Sequence, residues 1–152
     1  SFTCNNDPVL LLDNISDPGN LGTILRTAEW FGVKHVVLST ESVDAYNSKV
    51  LRSAMGAHFH LHQFIQQDLI STISKLKKDS YRIVGAEMDG SSLDKFSTPE
   101  KWALVLGNEA HGISSEIQSQ LDEKITIPKT GNIESLNVGV ASGVILEAFM
   151  KK

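Results

Sequence analysis

An α/β domain built on a mostly parallel sheet flanked by helices is the fold this sequence predicts. Three observations predict it. Short, continuously apolar runs recur along the chain, as strands buried on both faces require. Stretches with helical spacing alternate with them. A strand, a helix and a second strand follow one another within about thirty residues near the start, the length of a βαβ unit, and this implies parallel pairing.

The first apolar run is VLLL, residues 9–12, closed by Asp13. The turn-rich stretch DNISDPGN follows. Leu21, Ile24, Leu25, Ala28 and Phe31 then recur at helical spacing, with Gly32 as the stop. Residues 36–38 make the next buried strand. A helix is expected over 48–55 and a strand over 59–64. Residues 68–77 read as an amphipathic helix with Leu69, Ile70, Ile73 and Leu76 inward, and Lys75, Lys77 and Lys78 stand near its C-terminal end. Strands are expected over 81–86, 102–106 and 124–127. A short helix over 114–120 would be capped by Ser114 or Ser115.

The last element is the most distinctive. Between Ser135 and Met150 the only formal charge is Glu147, and so apolar a helix is normally covered on most of its circumference. Gly139 and Gly143 lie one turn apart on one face, and Ala141, Ser142 and Ala148 are small as well. Each helical glycine costs roughly 0.5–1 kcal/mol relative to alanine, which close approach by a neighbouring element would offset. Ser135 is a good N-cap and Asn137 falls in the first turn beside it. Polar groups therefore gather where a loop meets a helix N-terminus, a place with free N–H donors, and the junction reads as a binding site.

At 152 residues, 41% of them hydrophobic and 21% charged, the chain fits one globular domain with a real core. No apolar run reaches the ~20 residues that span a bilayer, and no signal peptide opens the sequence. A single cysteine, Cys4, rules out an internal disulfide and fits a reducing cytoplasm. The net charge of −4 argues against a partner held by bulk electrostatics alone. His58, His60 and His62 alternate, which places them on one face of the 59–64 strand. No carboxylate or cysteine stands beside them, so a solvated or substrate-facing strand edge is expected rather than a metal site.

Ligands of such sheets bind outside the C-terminal ends of the strands. That rule selects four loops, DNISDPGN, EMDGSS, GNEAHG and PKTGNIES, all rich in Gly, Asn, Asp, Glu or Ser. Neither G-x-G-x-x-G nor G-x-x-x-x-G-K-[ST] occurs, which argues against a dinucleotide enzyme or a P-loop NTPase.

Three of these loops carry a resemblance. DPGNLGTILRTAEWFG (17–32), LVLGNEAHGIS (104–114) and IPKTGNIESLNVGVASG (127–143) resemble, in order and spacing, the signature motifs of the SpoU (TrmH-type) RNA methyltransferases of the SPOUT superfamily. KVLRSAMGAHFHL (49–61) is similar to the same family's pattern. The resemblance implies a SPOUT-type fold with a C-terminal trefoil knot, S-adenosylmethionine as cofactor, a homodimer, and methyl transfer to a ribose 2′-OH of structured RNA. It implies no metal and no membrane. The gly-rich final helix would then pack against both the knot core and the partner subunit.

The resemblance also assigns residues. The arginine matching Arg26 is catalytic in the family, proposed to act on the 2′-hydroxyl with help from an RNA phosphate. A guanidinium is always protonated, so orienting ribose and phosphate and stabilising developing charge suit it better than a general-base role. Asn20, at the head of the same helix, is its N-cap or a support for the site. Glu109 belongs to the active site and would position Arg26 or a polar partner. Ser135 and Asn137 match an active-site serine and asparagine. Gly107 would admit the cofactor to its backbone, Gly112 would serve the turn, and Asn108 and Pro128 would flank the cofactor. Ile127 and Leu136 would hold the adenine. Lys49, Arg52, Ser53 and the histidines are candidates for RNA contact. Gly139 departs from the family, which more often has Ser there, and reads as a packing change. The alternatives are a catalytically silent SPOUT-fold RNA-binding paralogue and a flavodoxin-like nucleotide-binding domain without a knot. The chain starts at Ser1 with the first motif close behind, which predicts a single catalytic domain, 1–152, cut from a longer protein or a minimal member. Ribosomal RNA is preferred over transfer RNA as target.

Overall fold

The computed structural model describes residues 3–151. Among them the chain runs β1 (Val9–Leu12), α1 (Pro18–Trp30), β2 (His35–Ser39), α2 (Ser48–Ala54), β3 (His62–Gln67), α3 (Leu69–Lys78), β4 (Arg82–Ser92), β5 (Trp102–Leu106), α4 (Ser115–Gln118), β6 (Glu123–Thr126) and α5 (Val138–Met150), with 3₁₀ turns at Ala57–Phe59 and Leu93–Lys95. The six described strands form one sheet in the order β3-β2-β1-β5-β4-β6, and all their pairings are parallel.

β1, β2 and β5 are buried throughout because both faces of the sheet are covered there. Leu10, Leu12, Val36, Leu38, Leu104 and Leu106 join the core beneath α1 and α5; Val9, Leu11, Val37, Ala103 and Val105 join a second core that includes Leu69, Ile73 and Leu76 of α3. Each fully buried side chain of this kind contributes about 1.5–3 kcal/mol. Phe149 is held edge-on by Trp102, with ring centroids 4.9 Å apart, and stacks on Phe96. No helix among the described residues is long and apolar enough to cross a membrane.

Two features of this frame position the site. From β1 the chain steps outward through β2 to β3, then returns to the other side of β1 with β5. The strand order reverses at the β1/β5 junction, the place where open α/β sheets bind ligands. There the Asp13 N–H donates to the Leu106 carbonyl (2.9 Å). The second feature lies at β4, which pairs with Ile125 of β6 twice, at Ala86 and again at Ser91. β4 therefore bulges after Ala86, and its last residues pair with β6 a second time. Gly90 permits it, since a Cβ there would sit 2.5–2.7 Å from the Ile125 backbone.

The structure departs from the sequence reading at three elements. β4, expected to end at residue 86, runs on to Ser92, so the expected EMDGSS loop is bulged strand. The expected 59–64 strand starts only at His62; Met55 and Gly56 take left-handed conformations (φ 52° and 86°), and residues 57–59 form the 3₁₀ turn. The three histidines consequently share no strand face. His58 contacts the Ala45 carbonyl through Nε2 (2.7 Å), and His62 stacks on His35. The final helix begins at Val138, and its N-cap is Asn137, not Ser135. Its small residues do face a neighbour: a Cβ on Gly139 would lie 3.0 Å from Thr23 Cγ2, and one on Gly143 would lie 3.8 Å from Thr27 Cγ2, both on α1.

Candidate active site

Three segments meet at the β1/β5 junction: the turn leading into α1, the loop 107–112 after β5, and the entry to α5. Asp17 caps α1 by accepting from the Asn20 N–H (2.9 Å), and Pro18 opens the helix where no N–H is needed. This leaves the Asn20 side chain, one turn in, free to face the other two segments. Its amide Nδ2 donates to Glu109 Oε2 (3.2 Å), and its Oδ1 accepts from Asn137 Nδ2 (3.0 Å). Asn137 Oδ1 in turn accepts from the Val140 N–H (3.1 Å), capping α5. The direction of the chain is fixed, because a carboxylate only accepts and a helix N-terminus only donates. One unidirectional relay, Asn137 to Asn20 to Glu109, thus ties together the N-termini of α1 and α5 and the β5 loop.

Glu109 is saturated. Its Oε1 accepts from the Ser16 N–H and Oγ–H (3.1 Å each), and its Oε2 accepts from the Asp17 N–H (2.8 Å) as well as from Asn20. Burial pushes its carboxyl up, but the N–H groups of Glu109 itself, Asp17 and Ser16, with the Asn20 amide, outweigh that and hold it below the ordinary carboxylate range. Its polar partner is therefore Asn20, and no ion pair joins it to Arg26 among the described residues.

Asn108 shapes the loop. Its Oδ1 accepts from the Ala110 and His111 N–H groups, its Nδ2 donates to the Asn14 carbonyl (2.8 Å), and its backbone pairs with Gly112 in both directions (2.9 Å). The loop closes so tightly that a Cβ on Gly107 would lie 2.3 Å from Gly112 C and Ile113 N. Gly107 is thus required by the loop's own return, a different reason from the cofactor approach expected of it. Gly112 turns the chain at φ 71°, as expected.

The segment from Ile127 to Asn137 lies open beside the relay. Residues 128–136, among them Pro128 and Ser135, are exposed, and among the described residues their backbone makes no backbone–backbone hydrogen bond. Ile127 is half-buried and Leu136 is 51% exposed. The structure thus gathers Asn20, Glu109 and Asn137 directly, with Asn108, Gly107 and the 127–136 segment around them. Lys49 and Ser53 flank α1 closely: Lys49 Cε lies 4.0 Å from where a Gly19 Cβ would be, and Ser53 Cβ lies 2.2 Å from where a Gly22 Cβ would be.

Arg26 stands elsewhere. It is exposed and lines an open groove of about 680 Å³ between α1 and α5, with Trp30, Phe31, Val140, Val144 and Glu147. A second cavity, about 430 Å³, lies over the ends of β1–β3 and shares only Asn108 with the residues expected in the site; Asp13, Glu41, Asp68 and Glu116 line it. Among the described residues no group of three or more His, Cys, Asp or Glu side chains is placed to hold a metal ion.

The sequence reading missed Glu87, at the bulge of β4. Its Oε1 is buried without a hydrogen-bond partner. Burial and the nearby Asp89 raise its carboxyl above the ordinary range, against the opposing effect of Lys124, the Ile113 N–H and Gln118. Its position in EMDGSS, expected as a strand-end loop, was the available signal.

Fold and site together define an α/β domain of the ligand-binding type, with a polar cluster at the point where its strand order reverses, tied to the entry of the last helix. The chain belongs to the SpoU rRNA methylase family, whose sequence profile matches residues 7–147. It is 38% identical over 139 residues to the 23S rRNA (guanosine(2553)-2'-O)-methyltransferase RlmP of Bacillus subtilis, covering 91% of this chain and 56% of that protein. The 23S rRNA (guanosine-2'-O-)-methyltransferase RlmB of Neisseria meningitidis serogroup B is 35% identical over 139 residues, with the same coverages of 91% and 56%. Among solved structures, the AdoMet-bound rRNA methyltransferase from Sinorhizobium meliloti superposes with a TM-score of 0.86 at 26% identity, over 95% of this chain and 56% of that one. The chain spans little more than half the length of these relatives.

Proposed function

We propose that this chain carries the catalytic machinery of an S-adenosylmethionine-dependent RNA methyltransferase that modifies a ribose 2′-oxygen, in ribosomal RNA ahead of transfer RNA. Membership of the SpoU family supports the reading, as do relatives named for that reaction on 23S rRNA. The observation that carries it is the Asn137–Asn20–Glu109 relay, which draws three separate motif loops into one site.

The residues present fit an adenosyl group. Residues 128–136 leave N–H and C=O groups open for main-chain recognition, and Ile127 and Leu136 supply apolar surface beside them. The cofactor would supply a methyl already activated on a sulfonium sulfur, so the protein's tasks are alignment and management of one proton. Glu109, held low and saturated with donors, is a poor proton acceptor and acts as a positioning residue through Asn20. The exposed Ser135 hydroxyl stands on the open segment, where it can hydrogen-bond the ribose. Arg26 orients the RNA phosphate and stabilises negative charge developing on the 2′-oxygen.

Arg26 lies in the α1/α5 groove rather than at the relay, and this favours a homodimer. Trp30 (81% exposed), Val140 and Val144 present apolar surface there. A second copy seated on it would bring each Arg26 toward the partner's pocket. The double pairing of Ile125 and the close approach of Gly90 support the C-terminal trefoil threading of the family fold. A cytoplasmic location goes with substrates of this kind.

The test is direct. Calorimetry should show S-adenosylmethionine binding, and labelled methyl should pass to ribosomal RNA and survive alkaline hydrolysis as a 2′-O-methylated dinucleotide. RNA binding with no methyl transfer would assign the chain instead to the silent paralogues.

A further inference from the structure

The corner where α2 turns into the Ala57–Phe59 3₁₀ helix is built in an unusual way. Met55 and Gly56 adopt consecutive left-handed conformations, and the sharp reversal throws large apolar side chains outward. Phe59 is 89% exposed, Met55 69% and Tyr46 56%, with Leu51 on the same helix also exposed. Such a cluster costs solubility, and none of the described residues covers it. Tyr46 is not loose, however. Its ring rests 5.5 Å from that of His58, and His58 is pinned by the Ala45 carbonyl (2.7 Å). The chain holds the Tyr46 ring in place and leaves Phe59 almost wholly exposed.

Two cations accompany the aromatics. Lys49 and Arg52 are exposed on α2, and neither forms an ion pair among the described residues. The acidic neighbour here is Asp44, which accepts from the Tyr46 N–H (2.9 Å), so the corner carries two unpaired cations to one carboxylate in a chain of net charge −4. Lys49 reaches to within 4.0 Å of the Cβ position of Gly19, in the turn that carries Asn20, so the corner is continuous with the proposed active site. Exposed rings beside unpaired cations are the chemistry that binds unpaired nucleotides, with bases on the rings and phosphates on the cations.

We propose that this corner is a stacking platform for unpaired RNA bases flanking the ribose to be methylated. Phe59 and Tyr46 take the bases, Met55 and Leu51 widen the apolar floor, and Lys49 and Arg52 hold the backbone leading to the pocket. The proposal rests on the RNA methyltransferase reading and adds to it a requirement that the substrate be single-stranded beside the target. Stacking tolerates any base, so the platform confers a preference for unpaired structure rather than for a sequence.

The experiment is fluorescence anisotropy with three fluorescein-labelled probes: a short single-stranded RNA of mixed sequence, the same RNA as a duplex, and an abasic strand of equal length. The wild-type protein should prefer the first. Phe59→Ala should weaken it by on the order of tenfold while leaving the abasic strand unchanged, and Phe59→Trp should restore it. Lys49→Ala with Arg52→Ala should weaken both strands and lower the slope of log affinity against log salt by about 0.7 per charge removed. Thermal melting of each variant shows that it still folds. Equal affinity for abasic and normal RNA, or no effect of Phe59→Ala, overturns the platform. So does a change of oligomeric state on Phe59→Ala without a change in RNA affinity, which would make the patch a protein interface. Calorimetry with S-adenosylmethionine separates the two readings: cofactor binding without base preference fells only the platform, and base preference without cofactor binding fells only the methyltransferase.

Discussion

Asn20→Asp is the sharpest probe of the relay. The change is isosteric, yet it replaces the Nδ2 donor that faces Glu109 Oε2 at 3.2 Å with a second carboxylate oxygen. A hydrogen bond to a charged group contributes about 1.5–3 kcal/mol, and its loss sets the lower bound on the effect. Two like charges about 4 Å apart repel by up to ~4 kcal/mol at an effective dielectric of 20, and partial exposure of both residues reduces that. The expected loss near neutral pH is about 2–5 kcal/mol, read as a drop in urea midpoint by the fluorescence of buried Trp102. Acid should narrow the gap from both sides. In the wild type, the lowered Glu109 carboxyl contributes stability that is present above its unfolded value and lost as pH falls. In the variant, the facing carboxylates titrate upward together, so a shared proton rebuilds an O–H···O bond as pH falls. Asn20→Ala, which loses the bond without adding charge, should fall between the two near neutrality and show no such recovery. An Asn20→Asp protein as stable as wild type, or one whose deficit is the same near pH 5 as near pH 7, would mean that Asn20 and Glu109 do not meet.

Other outcomes follow from the same geometry. Glu87→Gln should stabilise the protein at neutral pH: a carboxyl raised in the folded state costs stability as pH climbs above the ordinary carboxylate value, so the variant's melting temperature should vary less with pH across that window. Gly90→Ala places a methyl 2.5–2.7 Å from the Ile125 backbone, which cannot yield as a side chain would; a loss on the order of 3 kcal/mol in urea unfolding is expected. Arg26→Ala should abolish methyl transfer while leaving S-adenosylmethionine affinity by calorimetry unchanged. Mixing equal amounts of Arg26→Ala and Asn137→Ala protomers should restore about a quarter of the sites if Arg26 serves the partner's site; no recovery would confine each site to one chain.

Much of the fold was legible because a parallel sheet covered on both sides writes itself as uninterrupted apolar runs. VLLL and WALVL gave β1 and β5 with their bounds, and these two strands define the reversal point. Gly32 ended α1 as read, at φ 80°. The failures have tertiary causes. The alternation of His58, His60 and His62 mimics a strand, but the left-handed pair Met55–Gly56 redirects the chain before pairing can begin, and β3, an edge strand, is too polar to mark its own start. Ser135 and Asn137 are both good caps by type. Asn137 holds the position because its Nδ2 has Asn20 to donate to, a partner 117 residues away that no local pattern reveals. Glu87 escaped notice for the same reason: its hydrogen-bonding partners, the Ile113 N–H and Gln118, lie far along the chain.

The relay explains why motifs so far apart in sequence behave as one site. Two of its members satisfy a structural need first: Asn137 caps α5 and Glu109 gathers the turn before α1, while Asn108 beside it closes the loop that carries Glu109. Only Asn20 has no capping duty for its side chain, and it is the one that joins the others. The capping reading and the active-site reading of these residues are therefore not rivals. The proposed transfer would demand close alignment of a methyl donor with a ribose oxygen, and helix termini locked to one another would supply it. Arg26 and Ser135 are exempt from this lattice; both are exposed, and neither side chain has a hydrogen bond or ion pair among the described residues. The chain thus separates the groups that build the pocket from the groups left open to a substrate.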